Sequence, residues 1–385
     1  MNPSAYRYLL LVLISLTACT SYGGAQPATE SIPVRLLLPP ELYVVPGHEI
    51  NVYFDNIVLV PNINNYLFDV TCQRGRQDAQ RWRYTPAAEE VGQFPLTVQV
   101  SDAAGNLIEE AGTTVHVVPP DAGAAQEVSI LIVGDSLTAN GYYATELYTL
   151  CQAEGNPQLK MLGTQKGRVE GAAHEGYGGW TWARFCTHWT EGDDDRARSP
   201  FLRLDGDQPV LDFQAYCDKP NDGKGPDFIT VLLGCNDTFS ATEETIEERI
   251  DAMFGYADTL LAEFHRVRAD TQIGILLLVP PAAGQDAFGA NYRCGQTRWQ
   301  YRRNQHRVVE RLLEKFGGRE GEHIFLIPAH VNLDCVNSYP AREEPASARN
   351  PTPVLRQFNG VHPGVPGYYQ IADTIYYWLK LRLSR

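Results

Sequence analysis

From residue 32 to residue 118 the apolar positions recur at every second residue, in short runs broken by turn formers. Ile50-Asn51-Val52-Tyr53-Phe54, Tyr66-Leu67-Phe68-Asp69-Val70, Leu96-Thr97-Val98-Gln99-Val100 and Thr114-Val115-His116-Val117-Val118 are the clearest of these runs. A period of two is that of a strand with one face buried, and Pro46-Gly47, Asp55-Asn56 and Ala104-Gly105-Asn106 punctuate it. The pattern predicts an all-β sandwich over residues 30–118. Past residue 127 the pattern changes to continuous apolar runs alternating with stretches of helical period, the mark of a parallel sheet with crossover helices. Val128–Val133, Leu159–Leu162, Phe228–Leu233, Ile273–Val279 and Ile324–Ile327 read as buried strands. The clearest helix is expected to start at a capping box, Ser240 with Glu243, and to bury Ile246, Ile250, Met253, Ala257, Leu260, Leu261 and Phe264. A second helix, with Ile371, Ile375, Trp378 and Leu379 on one face, closes the chain. The tyrosines around it, Tyr368, Tyr369, Tyr376 and Tyr377, read as packing rather than as a carbohydrate platform.

Between the two regions, Pro119-Pro120-Asp121-Ala122-Gly123-Ala124-Ala125 marks a boundary, so a linker is placed at 119–126 and a second domain at 127–385. In the first, Gly92–Leu96 followed by Asp102-Ala103-Ala104-Gly105-Asn106 resembles the closing hairpin of an immunoglobulin-like module. Thr190–Pro226 and Pro280–Gln296 are long insertions, read as lids or substrate walls. The acidic runs Asp193-Asp194-Asp195 and Asp205-Gly206-Asp207 lack EF-hand spacing and read as solvated loops.

Composition narrows the partners. A net charge of −14 over 385 residues argues against nucleic acid or an anionic membrane surface, which need clustered Lys and Arg. Arg298, Arg302, Arg303, Arg307 and Arg311 alternate with Glu310 and Glu314, which reads as a solvated helix face. At the start, Arg7 precedes the apolar run Leu9–Leu16, too short to span a bilayer, and Leu16-Thr17-Ala18-Cys19 resembles a bacterial lipobox. Residues 1–19 are therefore expected to be a lipoprotein signal peptide. Export to the cell envelope follows, with a lipid on Cys19 as the sole membrane attachment. Seven further cysteines remain, an odd number, so at least one is unpaired within the chain. No CxxC or HExxH spacing points to zinc.

The chemistry lies at strand ends. Gly134-Asp135-Ser136-Leu137 closes the first strand of the second region, where open α/β folds bind ligands, and a helix N-terminus there favours a developing oxyanion. Gly176-Tyr177-Gly178-Gly179 follows the second strand, Gly234-Cys235-Asn236-Asp237 closes the third, and His362-Pro363 precedes the last helix. Together these four blocks resemble the SGNH (GDSL) hydrolase superfamily. The resemblance implies a three-layer α/β/α domain of flavodoxin-like strand order. It also implies Ser136 as nucleophile, His362 as general base and acid, and an oxyanion hole of the Ser136 and Gly179 N–H groups with the Asn236 amide. The family normally places Asp three residues before the His, whereas this chain has Asn359. Three readings stay open. Asn359 accepts from the His362 Nδ1–H through its carbonyl oxygen, another carboxylate or carbonyl takes over, or the enzyme is impaired. Asp135 and Asp237 read as structural. Trp180-Thr181-Trp182 beside the Gly block would suit a sugar ring, although core packing is the better reading of Trp182.

The resemblance implies ester hydrolysis without metal or cofactor, most naturally removal of O-acetyl groups from a polysaccharide or oligosaccharide. A lipid or thioester acyl-hydrolase of the same family, or a catalytically impaired glycan-binding protein, are the alternatives.

Overall fold

The alternating runs of the N-terminal region become seven strands: β1 Glu41–Val44, β2 Ile50–Tyr53, β3 Leu67–Thr71, β4 Arg76–Gln77, β5 Arg81–Tyr84, β6 Gly92–Ser101 and β7 Leu107–Val117. They form a four-stranded sheet in the order β1-β7-β6-β3 and a three-stranded sheet in the order β2-β5-β4. Only β1 and β7 run parallel. Alternation does what it predicts along β6, where Leu96, Val98 and Val100 are buried. The β6–β7 hairpin turns on Asp102, whose Oδ1 accepts from Ala104 N and Asn106 N, and on Gly105 at φ +85°. The run predicted over 50–54 stops one residue early, because Phe54 opens a helical turn, Phe54–Ile57.

The described residues are 34–192, 194 and 196–385 of a computed structural model, and residues 34–385 form one compact unit. Residues 1–33, over which the signal peptide and Cys19 lipidation are expected, and Asp193 and Asp195 lie outside the described residues.

Eleven more strands follow: β8 Glu127–Gly134, β9 Gln158–Leu162, β10 Gln165–Lys166, β11 Ala173–Gly176, β12 Leu202–Asp205, β13 Gln208–Leu211, β14 Phe228–Leu232, β15 Gln272–Leu276, β16 Ile324–Ile327, β17 Ala341–Ser347 and β18 Asn350–Gln357. All five predicted core strands are present. β8, β14, β15 and β16 lie side by side and parallel, and β9 and β11 share the other edge of β8. The β9-β8-β14-β15-β16 arrangement is a doubly wound order, in which ligands meet the carboxyl ends of the strands where the order reverses, here between β8 and its two neighbours. Their continuous apolar text reflects burial on both faces: Ile130, Leu131, Ile132 and Val133 of β8 are all fully buried. The amphipathic helix spans Ile246–Val267 and buries all seven predicted residues, while the closing helix, Val365–Leu383, buries Ile371, Ile375, Trp378 and Leu379.

Several expectations are corrected. The Ser240–Glu243 capping box does not form: the helix starts at Ile246, behind Thr245. Asn304 Nδ2 donates to the carbonyls of Thr238 and Ala241, holding that stretch as a turn, and Thr242 N donates to Thr245 Oγ1 instead. The insertion at 190–226 is not one loop, since it holds the β12–β13 hairpin and a helix at Phe213–Cys217. That at 280–296 holds a helix at Gln285–Tyr292. The basic helix, Arg298–Phe316, is not uniformly solvated. Arg303, Arg307 and Arg311 pair with Glu243, Glu247 and Asp251 at the surface, but Arg302 is buried against Asp55 of the β module. Trp180 and Trp182 are both core residues. The described cysteines are unpaired, and among the described residues no helix is long and apolar enough to cross a membrane.

Candidate active site

Ser136 sits where β8 ends and a short helix, Ser136–Ala139, begins. The turn is tight because Gly134 has no side chain: a Cβ there would lie 2.0 Å from Thr138 Oγ1 and 3.0 Å from the Leu232 carbonyl oxygen. Asp135 caps the helix, its Oδ1 accepting from Leu137 N at 2.9 Å. Across the strand ends, His362 Nε2 lies 2.8 Å from Ser136 Oγ. The two residues, 226 apart in sequence, are thus within hydrogen-bond reach, and both are half-buried. Burial holds the His362 imidazole below its ordinary pKa of 6.5, so the neutral, proton-accepting form persists into mildly acidic solution.

Asn359 is placed differently from the first of the three readings above. Its Oδ1 accepts from the backbone N–H of Val361 at 3.1 Å and of His362 at 2.9 Å, and Asn291 Nδ2 donates to the same oxygen at 3.2 Å. Among the described residues no hydrogen bond joins Asn359 to the imidazole. It is a clamp on the backbone of the histidine loop. The 280–296 insertion braces that loop further: Ala282 N donates to Gly360 O at 3.0 Å, and a Cβ on Gly360 would meet the Phe288 ring at 2.7 Å. Exchanging Asn359 for aspartate keeps the clamp, since a carboxylate also accepts backbone N–H groups, and adds a negative charge beside the histidine loop. Asn359→Asp is therefore expected to leave the melting temperature nearly unchanged. It should move the acid limb of the kcat/KM profile to higher pH by roughly one unit, because a nearby anion favours imidazolium. An unmoved limb would show that residue 359 does not sense the imidazole charge.

The Gly block follows β11. Gly179 has φ +78°, the left-handed region that glycine tolerates, and the space a Cβ would enter is open to 4 Å. The loop rests on Glu175, a buried carboxylate that accepts from Thr164 N, Thr164 Oγ1, Tyr177 Oη and Tyr216 Oη at 2.6 to 2.9 Å. Its role is structural, and burial raises its pKa. His174 is also internal, its Nδ1 accepting from Gly176 N, and burial lowers its pKa to about 4.

Asn236, on the turn after β14, reaches the same region. Its Nδ2 donates to Asp135 Oδ2 at 3.1 Å and to the Trp180 carbonyl at 3.0 Å, joining the serine turn to the glycine loop. Asp135 Oδ2 also accepts from Cys235 Sγ at 2.9 Å, and desolvation pushes this buried carboxyl up to about 6. Asp237 is pushed to about 7 by the same cause. Sequence reading missed Asn291, the Cys235 bond to Asp135, and Asn140, whose Nδ2 donates to the Ser136 carbonyl and to Tyr368 Oη. Asn140 stands four residues after Ser136, a spacing that returns a helix side chain to the same face.

A serine turn at the carboxyl edge of a doubly wound sheet, with a histidine delivered from just before the last helix, is the arrangement that the resemblance to SGNH (GDSL) hydrolases implies. No family model matches the chain, and no curated protein matches it. Solved structures similar to it include a family 3 carbohydrate esterase of Clostridium thermocellum, at 16% identity and a TM-score of 0.42, over 66% of this chain and 97% of that one. A GDSL-like lipase of Parabacteroides merdae is similar at 14% identity and 0.33, over 68% and 98%. An acetylxylan esterase of Geobacillus stearothermophilus is similar at 14% identity and 0.34, over 68% and 96%.

Proposed function

We propose that this protein is a serine esterase that removes short O-acyl groups, acetyl foremost, from carbohydrate. The observation that carries the reading is the 2.8 Å contact between Ser136 Oγ and His362 Nε2. In the scheme, Oγ attacks the acyl carbon while Nε2 takes its proton, and the carbonyl oxygen becomes an oxyanion. Leu137, Thr138 and Ala139 already donate to Asp135, which leaves the Ser136 N–H for that oxygen, together with the Gly179 N–H. Asn236 joins them by exchanging its bond to the Trp180 carbonyl for one to the charged oxygen, a stronger acceptor. Collapse expels the sugar hydroxyl, reprotonated by His362. Water activated by the same nitrogen then cleaves the acyl-serine and releases the carboxylic acid. This chemistry calls for no metal or cofactor.

The side chains bonded around the pair, Asn140, Asn236 and Asn291 with Arg196, are polar, which suits a small acyl group on a hydroxylated carrier better than a long alkyl chain. The β module is read as an immunoglobulin-like sandwich, and the whole as an exported protein anchored through Cys19. A fluorophosphonate is expected to label the protein on Ser136, located by peptide mass. Aryl acetate should be hydrolysed at least about tenfold faster than aryl octanoate, as these polar surroundings favour a small acyl group. A preference for octanoate would point to a lipid or thioester acyl-hydrolase. No labelling and no turnover, with glycan still bound, would make the chain an impaired glycan-binding protein.

A further inference from the structure

The first part of the 190–226 insertion is a hairpin that returns to the glycine loop. Trp189 and Arg198 form an antiparallel bridge, Thr190 N donates to the Ala197 carbonyl at 2.7 Å, and Ser199 N donates to the His188 carbonyl at 2.8 Å. Arg196 is held within it from both sides of its own backbone. Its N–H donates to Asp194 Oδ1 at 2.8 Å, and its carbonyl lies 3.2 Å from His188 Nε2. From there the guanidinium reaches back, and Nη2 donates to the Gly178 carbonyl at 2.7 Å. A Cβ on Gly178 would lie 3.8 Å from that Nη2 and 3.9 Å from Ser136 Cβ, so the cation and the nucleophile flank the same glycine.

The carbonyl that Arg196 binds belongs to the peptide whose N–H is that of Gly179. Amide resonance couples the two ends: a cationic donor on the oxygen draws electron density from the nitrogen and makes its N–H a stronger donor. The same bond fixes the peptide plane, which an open glycine at φ +78° does not fix by itself. We propose that Arg196 is a positioning residue for the oxyanion hole, acting through the Gly178–Gly179 peptide. The inference rests on the reading of Ser136 as nucleophile and of the Gly179 N–H as oxyanion donor. An exposed guanidinium is screened in water, so its effect is greatest when the substrate covers the site and charge develops on the acyl oxygen. It is a transition-state effect, felt in kcat and not in KM.

The test uses the full chain with Arg196→Gln and Arg196→Lys, assayed on 4-nitrophenyl acetate beside wild type and Ser136→Ala. Arg196→Gln is expected to lower kcat about tenfold, less than the 10²–10³ for deleting an oxyanion donor outright, with KM within about twofold and an unchanged melting temperature. Arg196→Lys should recover part of the loss, because an ammonium keeps the charge but not the planar fork. With glycine-selective ¹⁵N labelling, the Gly179 amide proton should move upfield in Arg196→Gln, an effect no general loosening of the hairpin would confine to that residue. A raised KM with unchanged kcat would overturn the proposal in favour of direct substrate binding. Unchanged kinetics, with turnover still abolished by Ser136→Ala, would overturn it while leaving the esterase reading intact. A wild type inert on the ester would overturn both.

Discussion

Ser136→Ala and His362→Ala are each expected to lower ester turnover by about 10²-fold or more, and the double variant is expected to be no slower than either. In a full serine triad, losing the nucleophile or the base costs about 2 × 10⁶ in kcat, and losing the carboxylate alone costs about 3 × 10⁴. Here the residue in the carboxylate's place spends its oxygen on two backbone N–H groups and Asn291, so the imidazole is not backed from that side. A dyad without that support retains roughly the remaining 10², which sets the lower bound. Non-additivity follows because Oγ and Nε2, 2.8 Å apart, act on one proton; either without the other does nothing. Losses that multiply in the double variant would show two independent groups and would sink the dyad. The acid limb of the wild-type profile offers a second check. His362 must be neutral to act, and burial lowers its pKa, so kcat/KM should rise with pH through a midpoint below 6.5.

How far this site could be read in the sequence depends on where each interaction begins and ends. The strand text Val128–Val133 followed by Gly134-Asp135-Ser136 is local, and it carried the sheet, its edge and the serine turn, because β-branched runs buried on both faces have few other solutions. The seven apolar positions from Ile246 to Phe264 were legible for the same reason, through period alone. Long-range bonds were not legible. Ser240 and Glu243 have the spacing of a capping box, yet Asn304, 61 or more residues away, holds the turn that displaces it. Asn359 could be flagged as a departure, but its clamp needs Asn291 from a helix inside an insertion that sequence alone presented as loop. Arg302 looked like its neighbours Arg303 and Arg307. What separates it is an aspartate 247 residues earlier in the chain.

That aspartate carries the largest expected effect on stability. Asp55 Oδ2 accepts from Arg302 Nη1 at 2.8 Å and from Arg298 Nη2 at 3.0 Å, and Arg302 also donates to the carbonyls of Asp55 and Val58. The Arg302 side chain is 2% exposed and that of Asp55 34%. Desolvation lowers the Arg302 pKa, so its charge is costly where it stands and depends on these acceptors. Removing one partner of a buried pair usually costs about 3–5 kcal/mol. Asp55→Ala is expected at the lower end, about 3 kcal/mol, because solvent already screens part of the carboxylate and two carbonyls stay with Arg302. Arg302→Met should cost less, since the aspartate it strands is partly exposed and keeps Arg298. Around this pair the seam between the β module and the α/β sheet is closed by Asn51 on Asn332 Oδ1 and by Asn56 on the carbonyls of His330 and Leu333. The module is therefore expected to unfold with the sheet, in one urea transition whose midpoint Asp55→Ala lowers. Two separate transitions in the wild type would mean that the seam does not couple the two parts. The coupling also reaches the histidine loop: Arg298, held by Asp55, donates to the Ala282 carbonyl, and Ala282 N donates to the Gly360 carbonyl, two residues before His362. Asp55→Ala should accordingly lower kcat at temperatures where the protein is still folded, although no atom of Asp55 takes part in the proposed chemistry.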